Sequence, residues 1–377
     1  SSIGESVLSA ESTVKAWRLR DRVSDPERFF IDFTYDRQVT GNLEKAYQTL
    51  ESWYQAYPRG EEPSAQSLLG GLSTHGTGRH ERAIEASEKS VAAEPDFAIG
   101  YYNIAASHFF LDRFKEAEST LQRASRRKLE IPESLALQYD IAVLQGDHEQ
   151  MDRAVGLAKG KRRAEHLMAH EEALGLARFG RLRAARQSSN RAVDLALQEG
   201  QREEVASYQA ARAVWEAAYG NAAEANRDAV AALALSKGRD VAYAAGLALA
   251  FSGDYPRSEA IASDLEKRFP EDTFAKFSYV PVLRAVTALK RDQPANSVEQ
   301  MQITLPYERA ANGLNFNHFY LGGLHSAYVR GEAFMAMHRY PEAAAEFQKI
   351  LDHRGLVGLD PIGALAHLQL GRTSALA

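Results

Sequence analysis

The sequence predicts an all-α solenoid built from antiparallel helix hairpins. One short pattern returns along the chain: a turn residue, then after one position an apolar residue, two polar residues and a small residue. Clear copies are Gly41-Asn-Leu43-Glu-Lys-Ala46 and Asp112-Arg-Phe114-Lys-Glu-Ala117. Apolar positions recur every three or four residues, which gives each helix one apolar stripe. The anchors at positions 83, 117, 151 and 185 follow one another at intervals of 34 residues, which indicates stacked hairpins.

This interval is that of the tetratricopeptide repeat (TPR), and it predicts a right-handed superhelix of about nine helix pairs. Each small anchor should lie where two helices approach closely. We expect a TPR array over residues 26–377, with an insertion near 306–320, and an N-terminal helix within residues 1–25 that packs on the first repeat. The anchors are Ala46, Ala83, Ala117, Met151, Ala185, Ala225, Ser258, Ser297 and Ala343.

Composition excludes several kinds of site. The 377 residues include 45 basic and 50 acidic ones, a net charge of −5, which gives no argument for nucleic acid. The chain has no cysteine, so disulfides, thiolate metal sites and cysteine nucleophiles are excluded. The longest apolar stretch, residues 241–251, is too short to span a bilayer. Because the chain begins at Ser1 without methionine, we interpret it as a fragment of a longer protein, whose compartment its sequence does not indicate.

Two stretches near the ends of the array have a distinctive sequence. They are Arg20-Asp-Arg-Val-Ser-Asp-Pro-Glu-Arg-Phe-Phe30 and Glu346-Phe-Gln-Lys-Ile-Leu-Asp-His-Arg-Gly-Leu356. Together with residues 40–46, 53–59 and 361–371, they resemble the C-terminal TPR regions of acidobacterial-type serine/threonine protein kinases. Similar regions also follow winged-helix DNA-binding domains in bacterial regulators.

The resemblance implies a sensory or docking region in a larger bacterial signalling kinase. The chain itself contains neither His-Arg-Asp nor Asp-Phe-Gly, so we expect no enzyme activity, no catalytic residue and no cofactor in this fragment. The expected function is protein or peptide binding. The alternatives are the TPR region of a winged-helix transcriptional regulator, a small-molecule sensor, or a self-assembly module that forms a homodimer.

The concave face of a TPR array is its expected binding surface, and here its positions are mostly apolar. Chaperone-tail TPRs place Lys and Asn at such positions to bind a terminal carboxylate; Asn103 matches one of them, whereas Leu68, Leu72, Glu133 and Leu137 occupy the others. An apolar, aromatic groove favours an extended or helical peptide. The same periodicity also fits the interior of the array. The groove candidates are Leu68, Leu72, Ile99, Tyr102, Phe109, Phe110, Tyr243, Phe251 and Tyr328.

His166 and His170 are the one pair with the spacing of a metal site. Histidines four residues apart share one face of a helix, as zinc sites require. The metalloprotease motif has Glu directly after the first histidine, and here Leu167 stands there. We therefore predict no metal site. The basic run at residues 159–163 is interpreted as a solvated turn between repeats.

Overall fold

The computed structural model describes residues 6–57, 63–310 and 323–376. Every regular element in these ranges is helical, which confirms the all-α prediction. In the described part of the chain, nine hairpins follow one another, each with a first (A) and a second (B) helix. Repeat 1 is formed by α2 and α3, and the pairs continue in order to α18 and α19 in repeat 9. One helix, α1, precedes the repeats, and α20 and α21 follow them.

The helix bounds are α1 (Ser6–Arg18), α2 (Asp25–Tyr35), α3 (Leu43–Ala56), α4 (Pro63–Leu72), α5 (His80–Ala93), α6 (Ala98–Phe110), α7 (Phe114–Arg126), α8 (Pro132–Gln145), α9 (His148–Ala158), α10 (Ala164–Arg178), α11 (Leu182–Gln198), α12 (Arg202–Ala218), α13 (Ala222–Leu235), α14 (Arg239–Phe251), α15 (Tyr255–Arg268), α16 (Val280–Lys290), α17 (Pro294–Gln300), α18 (His325–Ala336), α19 (Tyr340–Leu351), α20 (Arg354–Val357) and α21 (Ile362–Leu376). A 3₁₀ segment, Met301–Tyr307, follows α17. Of the insertion predicted near 306–320, residues 311–320 lie outside the described ranges.

The A helices are buried on almost every side, whereas the B helices bury a single stripe. In α14 all residues from Val241 to Ala250 are buried, while α15 of the same hairpin buries Ser258, Ala262 and Leu265. The B helices therefore form the outer layer. Eight of the nine anchors are completely buried, and the ninth, Met151, is half-buried. The close helix approach predicted from the repeated small residue is thus confirmed for those eight.

The superhelix closes on itself. The A–B turns of repeats 1, 2 and 3 pack against the linkers that follow repeats 7, 8 and 9, and we call these three contacts the joints. In joint 1 the Leu43 N–H donates to Thr273 Oγ1 over 3.0 Å, and the Thr273 N–H donates to the Gly41 carbonyl over 3.0 Å. The two bonded segments are 230 residues apart in sequence. One superhelical turn therefore contains about six repeats.

Joints 2 and 3 repeat this arrangement one and two repeats further along. In joint 2 the His80 Nε2 donates to the Arg309 carbonyl over 3.0 Å, across 229 residues. In joint 3 the Gly355 N–H donates to Asp112 Oδ1 over 2.6 Å, across 243 residues. Because each bond joins the same two edges of the array, consecutive turns stack in one fixed register.

The backbone near joints 1 and 2 departs from regular α-helix. Short π-helical segments end the A helices of repeats 1 and 2, at Asp36–Thr40 and Ser73–Thr77. A third, Ala275–Tyr279, opens α16 directly after joint 1. A π-turn inserts one residue into the helix and shifts everything beyond it. These insertions accompany the places where helix ends must meet the next superhelical turn.

Gly78 shows how closely the turns approach. Its φ is +69°, a left-handed conformation that favours glycine, and an added Cβ would lie 2.7 Å from the carbonyl carbon and oxygen of Arg309. Gly180 has nearly the same backbone, with φ +70°, at the A–B turn of repeat 5, but an added Cβ there would meet nothing within 4 Å. The two positions differ chiefly in the joint.

This pair allows the joint to be tested without confusion from backbone strain. Left-handed strain should cost Gly180→Ala about 1 kcal/mol of unfolding free energy. Gly78→Ala should lose that amount and a further 1–3 kcal/mol or so, because its methyl group must displace backbone of the next turn. Urea titration of both variants measures the difference. Equal losses would contradict the closed superhelix.

Candidate functional site

The nine groove candidates fall into two groups by exposure. Leu68, Ile99 and Phe251 are half-buried and keep some contact with solvent. The other six face the interior of the protein in this structure, with at most 5 % of their surface exposed. Which of the nine contacts a partner stays a prediction. The six buried side chains are Leu72, Tyr102, Phe109, Phe110, Tyr243 and Tyr328.

The concave side of repeats 3 and 4 is covered by the C-terminal part of the chain. Tyr102, Phe109 and Leu144 share one apolar cluster with Leu356 and Ile362, which come more than 200 residues later in the sequence. Joint 3 explains this packing, since it holds the linker after repeat 9 against the end of α6. The repeat pattern predicts which side of each A helix is concave, but not what lies against it.

Residues 354–363, which we call the strap, run from α20 into the first turn of α21 across the concave side of repeats 3 to 7. Residues 355–363 are all buried. The Arg354 guanidinium donates to the Leu144 carbonyl in repeat 4. An added Cβ at Gly355 would lie 1.8 Å from the Phe109 carbonyl oxygen, so the strap backbone rests directly on α6. Leu359 is completely buried in the main core cluster, which also contains Tyr243 of repeat 7.

Asp360 brings a carboxylate into this apolar interior and is only 1 % exposed. Its Oδ2 lies 3.2 Å from His325 Nε2 of repeat 9, and its Oδ1 accepts the Ile362 N–H over 2.9 Å. Arg178 of repeat 5 donates to the Asp360 carbonyl over 3.2 Å. Burial raises the pKa of Asp360, and the His325 and Arg178 charges partly offset that rise. Burial likewise lowers the pKa of the Arg178 guanidinium.

The outer surface carries a second feature, at the 3₁₀ segment Met301–Tyr307. Met301 and Thr304 point inward and are buried, while Ile303 and Leu305 remain 43 % and 46 % exposed. Clefts lie on both sides of this segment. The first, of about 460 Å³, is lined by Thr77, Gly78, Arg79, Leu305, Pro306, Tyr307, Glu308, Arg309, Leu324, Lys349 and His353. The second, of about 380 Å³, is lined by Glu266, Phe269, Pro270, Ala275, Lys276, Val280, Pro281, Arg284, Gln300 and Ile303.

A buried ion network fixes the floor of the first cleft. The Arg330 guanidinium bonds to Glu308 Oε1 over 2.5 Å and to Glu346 Oε2 over 2.7 Å. Lys349 Nζ lies 3.2 Å from Glu308 and 3.0 Å from Glu346. Ser326 Oγ donates to Glu308 over 2.9 Å. The network ties the 3₁₀ segment to repeat 9 and leaves Arg309 exposed at the rim.

The predicted histidine pair lies in the core. His166 and His170 are 2 % and 1 % exposed, and both contact Tyr208 of α12. Tyr208 Oη lies 2.7 Å from His166 Nδ1, and its ring stacks on His170 with centroids 4.2 Å apart. This arrangement is that of a packed aromatic cluster. Among the described residues, no group of three or more His, Cys, Asp or Glu side chains could hold a metal ion.

Asp140 of α8 and Glu171 of α10 form a buried acid pair that the sequence analysis missed. Both side chains are completely buried. Burial raises the pKa of each, and the Asp140 charge raises that of Glu171 further. A signal was present, because Asp140 is the one charged residue in the mostly apolar run Leu135–Leu144 of an A helix. An acid inside such a run marks a buried carboxyl group, as Asp360 does within the strap.

Within the described ranges, no helix is both long enough and apolar enough to cross a membrane.

Asn103, which matches one position of the chaperone-tail clamp, is buried and donates to the Ser67 carbonyl over 3.4 Å. The two clefts beside the 3₁₀ segment are open to a ligand, while the concave side of repeats 3 and 4 is covered by the strap.

No family model and no curated protein matches the sequence. Several solved structures match over most of their length, and three of them are described. A TPR protein from Parabacteroides merdae has 12 % identity, covers 97 % of this chain and 99 % of its own, and gives a TM-score of 0.29. The P58(IPK) TPR domain has 13 % identity, its match covers 94 % of this chain and 98 % of that domain, and the TM-score is 0.27. Yeast Tom70 has 13 % identity, its match covers 99 % of this chain and 92 % of Tom70, and the TM-score is 0.31. Identities and TM-scores this low carry no information about ligand or partner.

The acid pair predicts a pH dependence of stability. A raised carboxyl pKa in the folded state means that folding favours the protonated form, so stability is full below the ordinary carboxyl range of about 4. It should fall as the pH rises towards the folded pKa, which is about 8 for Asp140. Asp140→Asn cannot ionise and should raise the free energy of unfolding at pH 8 by something on the order of 2 kcal/mol.

Urea titrations between pH 5 and pH 8.5 measure this effect. The control is Glu149→Gln, because Glu149 is exposed on the neighbouring helix α9. The control should follow the wild-type pH dependence, and Asp140→Asn should have a shallower one. Parallel curves for all three proteins would mean that the pair does not retain a proton at neutral pH.

Proposed function

We propose that this chain is a non-catalytic, protein-binding TPR scaffold whose docking surface is the 3₁₀ segment Met301–Tyr307 with its two flanking clefts. The observation that carries the proposal is the exposure of Ile303 and Leu305 on a segment whose other side is fixed in the core. Apolar side chains held rigidly beside clefts are typical of binding hot spots, because a partner removes them from water without having to order them.

The lining of the clefts indicates the chemistry of the partner. In the first cleft Leu305, Pro306 and Tyr307 provide apolar area, and Arg79 and Arg309 place positive charge at its rim. Arg79 is paired with Glu44 at 3.0 Å, whereas Arg309 is exposed. The second cleft is lined by Phe269, Val280 and other apolar residues, together with the polar side chains of Glu266, Lys276, Arg284 and Gln300. This surface fits a peptide segment with two apolar anchors and an acidic residue next to one of them.

The type of parent protein is proposed from the resemblance to the TPR regions of acidobacterial-type kinases. In this proposal the chain is the docking or sensory region of a bacterial serine/threonine kinase, and the runner-up parent is a winged-helix regulator. The resemblance lies partly in the residues that close the superhelix. Residues 40–46 contribute to joint 1, and residues 346–356 and 361–371 include parts of the strap and of α21. The full-length sequence of the parent protein tests this assignment, since it should contain a kinase domain.

The docking surface can be tested by affinity capture with a double variant. Wild type, Ile303→Asp with Leu305→Asp, and the control Leu197→Asp are immobilised and exposed to a lysate of the source organism. Leu197 is 51 % exposed on α11, so its variant changes a similar apolar side chain elsewhere. We expect one or more proteins that wild type and control retain, and that the double variant loses at least tenfold, as quantified by mass spectrometry.

The outcomes separate the alternatives. Equal capture by all three proteins would contradict docking at the 3₁₀ segment. Light scattering that shows a concentration-dependent dimer for wild type and control, but a monomer for the double variant, would replace the external partner with self-assembly. A partner that the double variant still retains would place the docking surface elsewhere on the array.

A further inference from the structure

The strap differs from the other linkers of the array. The linker between α11 and α12, for example, consists of residues 199–201 and connects two adjacent helices. The strap instead contacts repeats 3, 4 and 5 through Asp112, Leu144 and Arg178. It also extends to repeats 6 and 7: burial raises the pKa of Tyr219 and of Tyr243, and the charge of nearby Asp360 raises both further. Leu359 is buried in the same core cluster as Tyr243. A linker that merely joined α19 to α21 would not need contacts across several distant repeats.

The strap is bound in the way that a peptide ligand is bound. The Gly355 N–H donates to the Asp112 carboxylate and the Asp360 carbonyl accepts from the Arg178 guanidinium, so side chains of the array hold main-chain groups of the strap. Leu359 is completely buried and acts as an apolar anchor. Asp360 supplies one carboxylate opposite His325 at 3.2 Å. Backbone contacts, one apolar anchor and one charge together form a recognition pattern.

The buried carboxylate argues for recognition rather than for stability alone. An ion pair buried in an apolar core commonly contributes less to stability than well-packed apolar side chains of similar size. Asp360 and His325 are each 1 % exposed, and burial opposes charge on Arg178 as well. Such groups do, however, discriminate strongly between ligands, because a wrong side chain leaves a buried charge without a partner.

We infer that the concave face of repeats 3 to 7 is a peptide-binding site occupied here by the chain's own strap. Its external ligand is a peptide segment with an aliphatic residue followed by a carboxylate and proline, as in Leu359-Asp360-Pro361. The inference extends the proposed function to a second site, and it rests on that function only in assigning the chain to protein binding. The strap regulates the site by competing with the external segment.

Hydrogen exchange of the unmodified chain tests whether the strap opens. Segments that open locally exchange their amide hydrogens faster than segments that require global unfolding. The amides of residues 355–360 should exchange at least tenfold faster than those of the buried helices α12 and α14. Equal protection across all three segments would overturn the inference, because the strap would then be an inseparable part of the core.

Peptide binding tests the site itself. The probe is a fluorescein-labelled peptide with the sequence of residues 353–364, and the control peptide carries lysine at the position of Asp360. Gly363→Ala should weaken the hold on the strap, because the new Cβ would lie 2.4 Å from Arg178 Nη1 and 2.8 Å from Val357 Cγ1. The Arg178 side chain must then move away and release the Asp360 carbonyl. Gly371→Ala is the matched control, since a Cβ there meets nothing within 4 Å on the same helix.

We expect Gly363→Ala to bind the probe at least tenfold more tightly than wild type and Gly371→Ala do. The Gly363→Ala protein should also bind the lysine peptide at least tenfold more weakly than it binds the probe. Equal binding of the probe by all three proteins, or equal binding of the two peptides, would overturn the inference. So would a Gly363→Ala chain that circular dichroism shows to be unfolded. Because the Ile303/Leu305 double variant should leave probe binding unchanged, failure at one surface is distinguishable from failure at the other.

Discussion

The contact between successive superhelical turns is the constraint on which the rest of this structure depends. Isolated TPR hairpins need only their neighbours, so an array can remain open with its concave face in water. Here three joints bring the A–B turns of repeats 1 to 3 onto the linkers after repeats 7 to 9. Once that contact forms, the A helices have protein on nearly every side and the concave aromatics lose their access to solvent.

A buried acidic side chain lies near each joint and faces a basic one. Asp272, next to the Thr273 of joint 1, pairs with Arg239; Glu308, next to the Arg309 of joint 2, pairs with Arg330; and the Asp360 of the strap faces His325. Apolar surfaces pack in many registers, whereas a buried charge tolerates only the register that supplies its partner. We interpret the three acids as the groups that select one stacking of the two turns.

The hairpins could be predicted from sequence because their determinants are local. The anchors, from Ala46 to Ala343, fix where two helices of one hairpin touch, and their spacing needs no distant information. The joints could not be predicted in this way, because superhelix curvature accumulates from small rotations over about six repeats. The π-turns at Asp36–Thr40 and Ser73–Thr77 alter those rotations, and nothing in the repeat pattern marks them. The groove candidates rest on periodicity, which does not indicate what covers each side chain. Tyr102 and Phe109 share a buried cluster with strap residues, whereas Leu68 and Ile99 are half-buried.

Closure also explains how binding surfaces can be divided between the inside and the outside of the array. In the joints, the linkers after repeats 7 to 9 pack against the next superhelical turn. Ile303 and Leu305 lie outside these contacts, on the outer surface, with a cleft on either side. The concave side has polar groups that bind the strap, such as Asp112, Arg178 and His325, and the strap of the same chain covers it. The two surfaces meet at repeat 9, where Lys349 of α19 contacts the Glu308 network and the strap begins three residues after the same helix ends. A ligand at the outer cleft and a displaced strap would therefore act on one helix, which gives the two sites a direct physical route for coupling.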